Sequence, residues 1–145
     1  MNRRELLKTI PALAIGLPQV PVAGATNANQ ARLRNAICAY SYREELKSGA
    51  MTYADLVKIA VETGADGLDL TVYWMPQNPP DDFLYPLRRL AYKNAVEIYS
   101  LSIRTDMCRP TPELQDAEVA EVRKWVDVAA KLGAGHIRVF GGRVP

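Results

Sequence analysis

The residues with the clearest capacity for chemistry lie in strands that alternate. In the run Tyr99-Ser100-Leu101-Ser102-Ile103-Arg104-Thr105-Asp106, the side chains of Ser100, Ser102, Arg104 and Asp106 share one face, and Tyr99, Leu101 and Ile103 share the other. Asp69, Thr71 and Tyr73 repeat the idea against Leu68, Leu70, Val72 and Trp74, and Arg138 stands between the apolar Ile137 and Val139. A wholly polar face is out of place in a parallel sheet covered by helices on both sides, so the stripe points to a barrel interior that opens onto a site. Sites in such barrels form at the C-terminal ends of the strands, which makes Tyr73, Arg104, Asp106 and Arg138 the substrate-binding candidates. No catalytic residue follows from the pattern. The competing reading is that Arg138, Arg104 and Asp69 form a buried ion-pair layer that holds the interior together.

Other reactive residue types carry less. His136 is the only histidine, and its titration range suits metal binding or acid–base work. It starts a strand, however, and so falls at the face of a barrel that serves stability. Cys38 and Cys108 lie in or beyond strands separated by another strand, farther apart than a disulfide reaches, and are expected to be free, buried thiols. Trp125, beside the apolar stripe of a helix, is expected in the core.

The elements that must position these residues alternate along the chain. Strands are expected over 36–42, 67–74, 96–105 and 137–140. Between the first two, Thr52 and Asp55 have the spacing of a capping box, opening a helix that runs to Thr63 with Leu56, Ile59 and Ala60 on one face. Pro76, Pro79 and Pro80 enforce a loop, after which Asp81 or Asp82 caps a second helix to about Lys93. A third helix carries Val119, Val122, Val126 and Ala129 as its apolar stripe, opposite Glu118, Glu121, Lys124 and Lys131. Each helix ends in a residue that tolerates a left-handed backbone, then Ala, then a strand: Gly64-Ala65, Asn94-Ala95 and Gly133-Ala134. Right-handed crossovers of this kind make an α/β sheet of parallel strands. No strand-to-helix turn has a glycine-rich phosphate fingerprint, which favours a barrel over a doubly wound sheet.

With 48% hydrophobic and 23% charged residues, the 145-residue chain has the composition of a soluble globular protein. Arg3, Arg4 and Lys8 against Glu5 account for its whole net charge of +2. A folded part with no net charge lacks the electrostatic footprint of a nucleic-acid binder. The basic pair is followed by an apolar run interrupted by Pro11, Gly16, Pro18 and Pro21, and by Ala23-Gly24-Ala25, a small-x-small pattern. This resembles a twin-arginine export signal, too short and proline-rich for a membrane span. The expected organisation is a signal over 1–25, a linker over 26–31 and the folded part over 32–145. An exported protein of this kind, periplasmic or extracellular in a bacterium, leaves the cytoplasm folded, which suits prior acquisition of a cofactor. No membrane association is expected after the signal is removed.

Three stretches carry a family resemblance. Asp66-Gly67-Leu68-Asp69-Leu70-Thr71-Val72-Tyr73-Trp74, Ser100-Leu101-Ser102-Ile103-Arg104-Thr105-Asp106 and His136-Ile137-Arg138-Val139-Phe140-Gly141-Gly142 resemble the second, third and fourth strands of the sugar phosphate isomerase/epimerase superfamily, with Asp69 where many relatives have Glu. The resemblance implies a xylose isomerase-like (β/α)8 TIM barrel, of which this chain holds about the first half, four parallel strands and three helices. It implies an isomerase or epimerase of a sugar, sugar phosphate or polyol that transfers a proton next to a carbonyl with help from a divalent metal (Mn, Mg or Zn). The family's metal ligands come mainly from the second half of the barrel. Glu44 and Asp106 are the acids near strand ends here, and neither matches a ligand motif, so no metal residue is assigned in this chain. The alternatives are a non-catalytic carbohydrate-binding barrel and, against the neutral charge and the export signal, an abasic-site endonuclease. The expected partner is a small sugar-like molecule, with a homo-oligomer open.

Overall fold

A computed structural model of the protein describes residues 33–143. The expected export signal over 1–25 and linker over 26–31 lie outside the described residues. Four strands are present: β1 (Ala36–Cys38), β2 (Gly67–Thr71), β3 (Glu97–Ser102) and β4 (His136–Arg138). The helices are α1 (Arg43–Ser48), α2 (Tyr53–Thr63), α3 (Asp81–Lys93) and α4 (Pro112–Leu132). The sheet runs β1-β2-β3-β4 with every neighbour parallel. Sequential order with right-handed crossovers puts the helices on a single face and has no point where the winding reverses. That is the winding of a (β/α)8 barrel rather than of a doubly wound sheet.

The helix boundaries follow from local chemistry. Thr52 and Asp55 close the reciprocal capping box at the start of α2, and Thr111 accepts from Leu114 N at the start of α4, where Pro112 has no N–H that would need an acceptor. The start of α3 differs from expectation: Pro80 is the N-cap, with no side-chain cap, and Asp81 and Asp82 sit in the first turn as charges that favour the helix dipole. Gly64 and Gly133 end α2 and α4 in the left-handed region, with φ of 70° and 79°. Asn94 does not take that role. Its Nδ2 donates to Leu90 O at 2.8 Å while its φ stays at −100°, and the positive φ of 55° passes to Ala95.

All four strands stop short of their expected ends, β3 at Ser102 rather than 105 and β4 at Arg138 rather than 140, and after β1 and β2 the backbone changes form. Residues 39–42 and 72–74, expected to continue β1 and β2, turn instead into 3-10 helices, Ala39–Tyr42 and Val72–Trp74. The short helix α1 follows the first of these, with Leu46 buried. The core lies between sheet and helices: Leu68, Leu70, Leu101 and Ile103 are fully buried, against Leu56, Val57, Leu84 and Leu132 from the helices. On α4 the buried face is Trp125, Val128, Ala129 and Leu132; of the expected stripe Ala129 is buried and Val122 packs partly against the core, while Val119 and Val126 are 40% and 48% exposed. The indole removes more apolar area from water than a valine does, so it takes the core position and rotates the helix about one residue away from the valine stripe. Its Nε1 donates to Glu121 at 2.7 Å.

Candidate functional site

At the C-terminal ends of the strands the chain forms a cleft of about 970 Å³, lined by Cys38, Tyr40, Asp69, Tyr73, Arg104, Thr105, Asp106, Arg138, Phe140 and the 141–143 segment. All four residues singled out from the sequence, Tyr73, Arg104, Asp106 and Arg138, are in this lining. A smaller cavity of about 420 Å³ lies at the opposite strand ends, among Arg34, Asn35, Asp66, Glu97 and Tyr99. Its charged groups are already engaged, Arg34 with Glu97 at 2.6 Å and Asp66 with the Asn35 amide at 3.1 Å. The larger cleft sits where barrel sites form and is the candidate.

One wall is aromatic. The two 3-10 turns bring Tyr40, Tyr73 and Trp74 together, with ring centroids 5.8 to 6.3 Å apart. Period-two alternation would separate Tyr73 from Trp74. The turn at the end of β2 overrides it, and Tyr40 joins the cluster for the same reason at the end of β1. The Arg43 guanidinium lies 5.6 Å over the Tyr40 ring.

The opposite end of the lining is built by the segments that follow β3 and β4. Beyond the strands proper, Ile103 N donates to Arg138 O at 3.0 Å and Met107 N to Gly141 O at 3.1 Å. Arg138, half-buried, donates from Nη1 to Ile103 O at 3.1 Å and stacks its guanidinium 4.1 Å from the Phe140 ring centroid. Asp106 is held by a turn in which Cys108 N donates to its Oδ1 at 3.2 Å, while its own amide donates to Glu118 at 3.2 Å. Glu118, expected on the solvent face of its helix, is turned inward to this loop and paired with Arg109 at 2.7 Å. Gly142, at φ 105°, lies against the turn so closely that a Cβ there would run into Asp106 Oδ1 and Cys108 N. Arg104 is exposed and makes no hydrogen bond or ion pair among the described residues.

The floor is a polar layer across β1, β2 and β3. Asp69 accepts from Ser102 Oγ at 2.7 and 2.9 Å and from the Cys38 thiol at 3.3 Å. Burial, together with the neighbouring Asp69 carboxylate, pushes the Cys38 thiol up from its usual value, so it stands as a neutral donor. Thr71 is fully buried in the same layer, and its hydroxyl lies close to the Cys38 sulfur. The ion-pair layer is not formed: Asp69 has neutral donors, Arg138 bonds a carbonyl, and Arg104 is free among the described residues. Tyr99 does not stay with Leu101 and Ile103. A bulge between Leu68 and Asp69 shifts the pairing so that Asp69 lies beside Ser100. Burial, together with the nearby Asp69 carboxylate, then raises the Tyr99 phenol.

His136 stands at the far end of β4, its Nδ1 3.2 Å from Tyr99 O. Cys38 and Cys108 are both free and only partly buried, the latter bonded to Gly141 O at 3.3 Å. Among the described residues no group of three His, Cys, Asp or Glu side chains could hold a metal, so these residues do not fit a divalent cation. No described helix is long and apolar enough to cross a membrane. Cys38, Tyr40, Asp69, Thr105 and Phe140 are lining residues that sequence reasoning passed over. The polar stripe already contained Asp69, but nothing local signalled the turn that exposes Tyr40.

No protein-family model and no curated protein matches the sequence. Solved structures do match the fold. The probable 3-DHS dehydratase AsbF involved in petrobactin synthesis from Bacillus anthracis superposes with a TM-score of 0.60 at 18% identity, covering 76% of this chain and 39% of that one. D-psicose 3-epimerase, solved in the presence of D-fructose, gives 0.62 at 17% identity, covering 74% of this chain and 37% of that one. The chain thus spans about two-fifths of each. At these identities the likeness is one of fold: the described strands and helices are those of part of a TIM barrel.

Proposed function

We propose that the cleft binds a small polyhydroxylated, sugar-like substrate and that the protein is an isomerase or epimerase that moves a proton next to a carbonyl. The observation that carries this reading is a single cleft at the C-terminal strand ends that combines Tyr40 and Tyr73 ring surface with Asp69, Asp106, Arg104 and Arg138. Aromatic faces cover the C–H surface of a sugar, while carboxylates and guanidinium groups bond its hydroxyl and carbonyl oxygens. The fold shared with an epimerase solved in the presence of D-fructose supports the substrate class. The chain's own residues bind and orient the substrate, and the tied β3 and β4 extensions hold Arg138 and Asp106 in place. A divalent metal, manganese, magnesium or zinc, belongs to the same reading only with ligands from outside the described residues. Export through the twin-arginine route, and action without a nucleic-acid partner, complete it.

The test is an amide and side-chain NMR titration of the full chain with D-fructose in ordinary water, followed by incubation with D-fructose in heavy water. Saturable shifts concentrated at Tyr73, Arg104 and Arg138 support the reading, and scattered or absent shifts overturn it. Deuterium gained at the carbon beside the carbonyl marks catalysis. Binding without deuterium uptake favours the second reading, a non-catalytic carbohydrate-binding barrel, which the aromatic wall serves equally well.

A further inference from the structure

Asp69 is a carboxylate on the lining of the cleft, only partly buried, and no cation pairs with it among the described residues. Its partners are neutral: the Ser102 hydroxyl, 1% exposed, astride both oxygens at 2.7 and 2.9 Å, and the Cys38 thiol at 3.3 Å from Oδ2. A carboxylate has about four acceptor positions, and the single hydroxyl proton of Ser102, shared between the two oxygens, and the single thiol proton of Cys38 do not fill them. A partly desolvated charge with an open acceptor position is a group held ready for a further donor. The same layer contains the fully buried Thr71 hydroxyl, in register with Ser102 and close enough to the Cys38 sulfur to act on the thiol as a donor.

We propose that Asp69 is a substrate-binding residue at the cleft floor, where its carboxylate accepts a hydrogen bond from one hydroxyl of a polyol while Ser102 and Cys38 fix its orientation. This rests on the reading that the cleft takes a polyhydroxylated substrate. Ser102 sets the plane of the carboxylate by bonding both oxygens, and Cys38, whose strand residue is in register with Asp69, holds one edge. The ligand hydroxyl takes an open position. No bond is made or broken in this step.

Iodoacetamide labelling of Cys38, followed by mass spectrometry on the full chain, tests both halves, with Cys108 as internal control. Asp69→Asn should speed labelling about threefold or more at neutral pH, because thiolate population changes tenfold per pKa unit and the opposing charge is gone. Ser102→Ala should slow it, because the carboxylate, short of one donor, holds the thiol proton more firmly. D-fructose should protect Cys38 in the native protein and not in Asp69→Asn. General loosening speeds labelling in both variants, and that result overturns the proposal in favour of a simple strand tie. If D-fructose shifts Tyr73 and Arg138 resonances yet gives equal protection in native protein and Asp69→Asn, or none in either, the proposal falls and the sugar-binding reading stands. If D-fructose shifts no resonance in the cleft, both fall together. Should Asp69→Asn not fold, the direction of the Ser102→Ala effect and the protection of the native thiol decide.

Discussion

The Thr105 hydroxyl bonds twice to a single residue, donating to Phe140 O at 2.8 Å and accepting from Phe140 N at 2.7 Å. Neither β3 nor β4 extends this far as regular strand, so this side chain replaces the ladder that would otherwise fix one end of the cleft. Thr105 is 5% exposed, and Thr105→Val would leave a backbone donor and acceptor without their partner. We expect it to cost about 1–3 kcal/mol and to loosen the Arg138 stack on Phe140. Thermal melts give the first effect, and weaker D-fructose binding the second. An unchanged melting temperature would show that water replaces the hydroxyl at no cost.

Ala95 is the one residue other than glycine with positive φ among the described residues, and it is exposed. A Cβ in the left-handed region costs about 1–2 kcal/mol, of which the extra chain entropy of glycine returns part. Ala95→Gly should therefore raise stability by about 0.5–1 kcal/mol, and urea unfolding measures it. A loss of stability would mean that the turn tolerates its alanine without strain.

Sequence patterns reached the barrel winding and the residues around its cleft because both depend on periodicity. Leu68 and Leu70 on one side, and Asp69 with Ser102 on the other, follow from period two alone. What failed was local: the bulge that moves Tyr99, the turns that end β1 and β2 early, and the choice between two helical stripes on α4. Each is decided by tertiary packing. Trp125 outcompetes valines only when the sheet it packs on is present, and Tyr73 joins Tyr40 only because two distant turns meet.

The capping box at α2 gives a pH dependence of known sign. Lys58 at 2.7 Å, with the Thr52 hydroxyl and amide at 2.7 and 3.0 Å, holds the Asp55 carboxyl well below the usual carboxylate range. A folded-state value below the unfolded one gives stability that is present above the unfolded value and lost as pH falls through the folded one. The native melting temperature should accordingly exceed that of Asp55→Asn at pH 6, with the gap closing as the pH falls below about 4. A gap independent of pH would remove the charge from the explanation. Thr52→Ala should cost about 1 kcal/mol at neutral pH.

We propose that Arg3 and Arg4 direct export through the twin-arginine route. Replacing both by Lys should leave the protein folded and retained in the cytoplasm, as measured by cell fractionation. Continued export of the double variant by that route would count against the signal.

Arg104 and Arg138 line the same cleft and differ in what the fold asks of them. Arg138 has a carbonyl and an aromatic face to hold, so Arg138→Ala should lose about 1–2 kcal/mol of stability along with ligand binding. Arg104 is exposed and makes no bond among the described residues. Its replacement by alanine removes no native contact, and stability should move by no more than about 0.5 kcal/mol. If its guanidinium meets the substrate, however, binding or turnover should fall about tenfold, equivalent to about 1.4 kcal/mol. The two effects separate a binding group from a structural one. A large drop in melting temperature with binding intact would restore the ion-pair reading, in which Arg104 finds a carboxylate such as Asp69. Loss of binding at constant stability would make Arg104 a binding group of the cleft that the fold itself does not use.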